Sequence, residues 1–130
     1  MELIFARHGE SEANLRRIIS NRALPHALSE RGRQQAAALA RHLVGRPVTA
    51  LYTSPIPRAQ ETAAILGAAL GVAPVVADAL REWDCGAWEG RGDDAAWQAH
   101  AQAVAAWAAG EADYCLAGGE SLNAMRARFV

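Results

Sequence analysis

Long apolar runs are missing from this sequence, and so is a surplus of charge of either sign. The apolar stretches are short, alanine-rich and interrupted, far from the roughly 20 residues a membrane-spanning helix needs. Thirteen basic residues are spread along the chain against 14 acidic ones, for a formal net charge of -1. No basic stripe offers nucleic acid a footprint. Cysteine is scarce: Cys85 and Cys115 are the two present, with neither metal-ligand nor redox-pair spacing. That spacing excludes a zinc ribbon or a thioredoxin-like motif, and the expectation is two reduced thiols without a disulfide. No carboxylate cluster suits magnesium, so no metal and no cofactor are expected. The apolar start Leu3-Ile4-Phe5-Ala6 is cut off at Arg7, too early for a signal peptide, and a cytoplasmic location is expected. Repeats and low-complexity linkers are absent too, so residues 1–130 read as one domain with room for a modest core.

What is present alternates in period. Leu3 to Ala6 reads as a short buried strand that stops at Arg7-His8-Gly9. Ser29 suits a helix N-cap with Glu30 in the first turn, and the helix runs to about Val44, where Gly45 and Pro47 end it. Its apolar positions Ala36, Leu39, Ala40 and Leu43 fall on one face. Val48 to Tyr52 reads as a second strand. Pro57 opens a second helix, which Gly71 closes. Val72 to Ala77 is a third strand, Asp94 to Ala109 an alanine-rich helix, and Leu122, Met125 and Phe129 mark another. This order predicts an α/β fold, a mostly parallel sheet with helices on both faces and right-handed crossovers.

Ligands of such sheets bind at the carboxyl ends of the strands, which directs attention to three loops. They hold Arg7-His8-Gly9-Glu10-Ser11, Thr53-Ser54 leading to Arg58, and Leu80-Arg81-Glu82-Trp83. Arginine, histidine and glycine at one strand end have a clear chemical use. Phosphoryl transfer needs a nucleophile and concentrated positive charge on the non-bridging oxygens. Arg7 and Arg58 can supply that charge through planar, permanently protonated guanidinium groups. A histidine acts as nucleophile when neutral, with one nitrogen free and the other held, ordinarily by a backbone carbonyl. Gly9 would let backbone amides approach an anion closely. The competing readings are ordinary ones: a structural histidine, a solvated Arg58, a Glu82 that merely pairs with Arg81, and Ser11 or Asn14 as helix caps. The four tryptophans are expected in core or pocket wall, Trp83 and Trp88 near the leaving group, and His26, His42 and His100 at the surface.

Taken together, four segments resemble the signatures of the histidine phosphatase superfamily, the phosphoglycerate-mutase-like enzymes. Arg7-His8-Gly9-Glu10-Ser11 with Asn14 is similar to the first, and Leu28 to Ala36 to the helix start that follows it. Tyr52 to Thr62 is similar to the next, and Leu80 to Gly90 to the last. Order and spacing make the set specific, although an isolated Arg-His-Gly would mean little. The resemblance implies that His8 is phosphorylated, that Arg7, Arg58 and Asn14 bind the phosphate, and that Glu82 is the general acid. It also implies a small phosphorylated substrate, with neither nucleic acid nor membrane as partner, and it leaves room for a homo-oligomer. Family members carry a second histidine, followed by glycine, at the end of a later strand; here none of His26, His42 and His100 fits. Gly118-Gly119-Glu120-Ser121-Leu122 resembles the segment that opens the helix before that strand, so the expectation is a chain truncated at its C-terminus, lacking a strand beside the first. The implied activity is phosphatase. A phosphoglycerate-type mutase, disfavoured by the short segment between Gly90 and Gly118, and an inactive phosphate-binding remnant are the alternatives.

Overall fold

The computed structural model describes residues 2–22 and 24–129. Five α-helices and a parallel pair of strands follow one another: α1 (Glu12–Leu15), α2 (Glu30–Leu43), β1 (Leu51–Thr53), α3 (Pro57–Leu70), β2 (Pro74–Val76), α4 (Asp94–Ala108) and α5 (Leu122–Phe129). Two 3-10 turns, Asp78–Leu80 and Gly86–Trp88, lie between β2 and α4. β1 pairs with β2 in the register Leu51–Pro74, Tyr52–Val75 and Thr53–Val76, with α3 as the crossover. The α/β class read from the sequence is the class observed. The continuation of α5 to Val130 lies outside the described residues.

Local chemistry sets the helix boundaries. Ser29 caps α2, its Oγ accepting from the Gly32 amide. Pro57 occupies the first turn of α3, and Gly71 closes that helix at φ 70°, a left-handed position where a side chain is penalised. The alanine-leucine face of α2 is buried, and Ala40 and Leu43 meet Leu66 of α3 in one cluster. A second cluster gathers Ile19, Trp83, Cys85, Leu116 and the alanine face of α4, with Trp88, Trp97 and Trp107 packed on its flank. Trp83 makes an edge-on contact with Trp107 at 4.7 Å between ring centroids. Its ring belongs to the core, one of the two places expected for the tryptophans.

One expected strand is not paired. Residues Leu3 to Ala6 join no ladder among the described residues, and Leu3 and Phe5 are 67% and 80% exposed. A strand exists through its hydrogen-bonding partners, so an apolar run is necessary for one but not sufficient. Tyr52, Val75 and Val76 of the paired strands are exposed as well. Among the described residues no helix is long and apolar enough to cross a membrane.

Candidate active site

The loop after residue 6 is pinned between the first turns of α2 and α3. A Cβ placed on Gly9 would stand 2.3 Å from the Gly32 carbonyl oxygen, and one on Gly32 would stand 1.9 Å from the Glu10 oxygen. Backbone thus lies directly on backbone, a contact only glycine permits. The Gly9 amide donates to Thr62 Oγ1 at 3.2 Å, and that hydroxyl donates to the Arg58 carbonyl at 2.8 Å. From the other side Gln35 Oε1 accepts from the Glu10 amide, and Ser29 Oγ donates to Glu10 Oε1. Gly9 is the residue read as letting backbone amides approach an anion closely. Its own amide is committed to Thr62, and its lack of a side chain is required by the contact with Gly32.

This scaffold fixes the His8 ring. Its Nδ1 donates to the Gly9 carbonyl at 2.7 Å, and Arg58 Nε donates to its Nε2 at 2.9 Å. A neutral ring satisfies both bonds only with the proton on Nδ1 and the lone pair on Nε2. Burial pushes the His8 pKa below 6.5, with Arg58 and Arg7 acting in the same direction against the Gly9 hydrogen bond and Glu82. At neutral pH His8 is therefore an uncharged imidazole with one oriented lone pair.

Arg58 is the anomaly of the molecule. It is the second residue of α3 and only 5% exposed, so its charge sits in the first turn, at the positive end of the helix dipole. Among the described residues no carboxylate pairs with it, and its Nη1 is buried without a hydrogen-bond partner. Burial draws its pKa down, with Glu82 opposing and Arg7 adding to the effect; a guanidinium stays charged regardless. Ser54 Oγ, just past β1, is likewise buried without a partner. Two idle donors and an uncompensated buried cation leave a deficit that an oxyanion is suited to fill.

Arg7 is exposed and lines an open hollow with His8, Gly9, Gln35 and Thr62. Glu82, also exposed, accepts from the Trp83 amide at 3.1 Å. Its charge raises the pKa of both His8 and Arg58. Asn14 stands apart. Its Oδ1 accepts from the Ser11 amide and hydroxyl, closing the capping box of α1, and it lines a different hollow with Arg17 and Trp97. Arg7, His8 and Arg58 thus come together, Glu82 reaches them through its charge, and Asn14 Oδ1 is engaged in the cap of α1.

Thr62, Gln35 and Ser54 were not singled out from the sequence; they sit within signature segments, but nothing local distinguishes a buried hydroxyl from a capping or solvated one. His100 was expected at the surface. It is half-buried between Trp83 and Trp97, and burial lowers its pKa while Glu82 opposes. His26 is half-buried too, bonded to Ser20 Oγ at 2.7 Å, whereas His42 is exposed. Both cysteines are free, and burial pushes the Cys85 thiol up to about 12, so no thiolate is at hand as a rival nucleophile. Among the described residues no three His, Cys, Asp or Glu side chains converge as a metal site.

Comparison with known proteins shows the family. The model of the histidine phosphatase superfamily, branch 1, matches residues 3–130. A bifunctional protein of Mycobacterium tuberculosis is 42% identical over 89 residues, covering 68% of this chain and 24% of its own. Fructose-2,6-bisphosphatase TIGAR B of Danio rerio is 35% identical over 133 residues, covering 98% and 49%. Among solved structures, a mycobacterial glucosyl-3-phosphoglycerate phosphatase in complex with VO3 superposes with a TM-score of 0.78 at 33% identity, covering 93% of this chain and 57% of that one. The chain therefore spans about a quarter to three fifths of the length of these relatives. A neutral histidine held by a buried arginine, and a match running from residue 3 to the last residue, lead to one assignment: the chain belongs to the histidine phosphatase superfamily.

Proposed function

We propose that residues 1–130 form one phosphatase domain that hydrolyses small phosphomonoesters through a phosphohistidine on His8. The observation that carries this reading is Arg58, a buried cation with an idle Nη1 whose Nε already holds the nucleophilic nitrogen of His8. The names of the relatives support the substrate class, since fructose 2,6-bisphosphate and glucosyl-3-phosphoglycerate are both small phosphomonoesters.

In the resting site Arg58 Nε occupies the His8 lone pair. An arriving phosphoryl group takes over that donor, leaving Nε2 free to attack phosphorus in line. Arg58 and Arg7 hold the non-bridging oxygens, supplying charge that a metal ion supplies in other phosphoryl-transfer sites. The bond from phosphorus to the leaving oxygen breaks as the Glu82 carboxylic acid protonates that oxygen. Water then attacks the phosphohistidine, gives its proton to the Glu82 carboxylate, and inorganic phosphate departs as Nε2 regains its lone pair. Asn14 keeps its Oδ1 in the capping box, so only its Nδ2 remains as a donor to substrate.

Phosphate release from 4-nitrophenyl phosphate without added metal, compared between the chain and His8→Ala, tests the reading. Alkaline quench of a turnover on 32P-labelled substrate should trap label on the chain and none on His8→Ala. Hydrolysis that survives His8→Ala, or the absence of alkali-stable label, overturns it.

A further inference from the structure

Glu82 is exposed, and among the described residues its carboxylate accepts only from the amide of the adjacent Trp83. Its position therefore depends on the backbone that carries it, and residues 81–85 form no helix or strand. We propose that Arg128 and Glu120 form a clasp that positions Glu82, an inference resting on the reading of Glu82 as the proton donor.

The geometry is specific to that stretch. From α5, Arg128 donates through Nη1 to the Ala79 carbonyl at 2.7 Å, and through Nη2 to the Arg81 carbonyl at 2.8 Å and that of Glu82 at 3.2 Å. The same guanidinium forks onto Glu120, Nε to Oε1 at 2.9 Å and Nη2 to Oε2 at 3.1 Å. Glu120 then reaches beyond Glu82: its Oε2 accepts from the Asp84 amide at 3.0 Å, and its own amide donates to the Asp84 carbonyl at 2.8 Å. Residues on both sides of Glu82, and Glu82 itself, are thus bound by one ion pair. The two side chains are only 15% and 21% exposed. Close backbone approach reinforces the strap, since a Cβ on Gly119 would stand 2.5 Å from the Asp84 oxygen.

Anchoring α5 would need no such bracket. The helix already has ties of its own: the Ser121 hydroxyl accepts from the Ala124 amide, Asn123 bonds Asp113, and Met125 packs on the core. A bidentate fork that gathers three carbonyls around one exposed carboxylate residue instead restricts where that carboxylate can go.

The test compares phenyl phosphate, whose leaving group needs a proton, with 4-nitrophenyl phosphate, whose leaving group does not, for the wild type, Glu82→Gln, Arg128→Met, Arg128→Lys and the double variant Glu82→Gln/Arg128→Met. Arg128→Lys keeps the charge without the fork and serves if Arg128→Met fails to fold. The clasp predicts that Arg128→Met loses about 10-fold more rate on phenyl phosphate than on 4-nitrophenyl phosphate, a part of the 10²–10⁴-fold typical of a general acid. Arg128→Lys should recover little, and the double variant should show no more bias than Glu82→Gln alone. Equal loss on both substrates in the Arg128 variants overturns the clasp. A Glu82→Gln variant without leaving-group bias overturns the acid reading itself, and the clasp with it. If the chain turns over neither substrate, NMR titration of His8 decides. The charges acting on that ring are Arg58, Arg7 and Glu82, and Glu82 raises its pKa. A Glu82 released by Arg128→Met lowers the His8 pKa, whereas loss of the Arg128 charge, which is not among those acting on the ring, leaves it unchanged; a rise or no change overturns the clasp.

Discussion

Two arginines, one buried and one half-buried, are satisfied in opposite ways. Arg128 spends all three nitrogens on three carbonyls and both oxygens of Glu120. Arg58 donates to a histidine and keeps Nη1 buried and idle. The same side chain is thus a finished part of the fold in one place and an unfinished one in the other. Unsatisfied buried charge persists where something outside the chain completes it. On the proposed reading, the contrast separates the residue that shapes the site from the residue that binds in it.

The largest effect expected from breaking this contrast is chemical. His8→Ala should abolish phosphate release and labelling, because no second group in the site offers an oriented lone pair, and a steady-state assay checks it. Arg58→Met comes next and should act with opposite signs on function and stability. Its kcat/KM should fall about 10²–10³-fold, the usual effect of losing a charge-stabilising donor. Its stability should rise by about 1 kcal/mol, since removing an unpaired buried charge relieves desolvation. Arg128→Met should instead lose about 2–3 kcal/mol in urea denaturation, because it strands Glu120 and three carbonyls. A similar loss, about 3 kcal/mol, is expected for Gly32→Ala, whose methyl collides with the Glu10 carbonyl.

The smallest effect is the dependence on pH. His8 has its pKa lowered from 6.5 on folding, so the nucleophile stays neutral further into acid than a free histidine does. The acid limb of kcat/KM, which reports the free enzyme, should therefore fall at a pH below 6.5. The same shift costs the native state nothing above 6.5, and stability declines as pH drops from there through the lowered native value. Glu120 has the opposite linkage. Arg128, more than the Asp84 amide, holds its carboxyl below the ordinary carboxylate range. The stability this contributes is present above the unfolded pKa and is lost as pH falls through the native one. A guanidinium-denaturation series across pH in wild type and Arg128→Met separates the two.

Much of this architecture is written locally. Ser29, Pro57 and Gly71 announce the ends of α2 and α3 because caps act on their own helix, within one turn. His8, Arg7, Arg58 and Glu82 could be named because they fall within familiar signatures. Thr62 and Gln35 could not, since their meaning arises when the His8 loop settles on two helices far away in sequence. Arg128 in the sequence is an ordinary cation near the end of a helix; its role depends on carbonyls 46 to 49 residues away. Leu3 to Ala6 shows the converse. Its apolar pattern states a preference for extended chain, and only a paired neighbour turns that preference into a strand.

Whether Arg58 is built to hold a phosphoryl group is measured most directly by thermal unfolding with added inorganic phosphate. A ligand that binds only the native state stabilises it by about 2.7 kcal/mol at 100 times its Kd. The wild type should melt progressively higher as phosphate is raised, while Arg58→Met should start from a higher melting temperature and gain little. Equal gains in both proteins, or a variant that melts lower than the wild type without phosphate, would contradict that role.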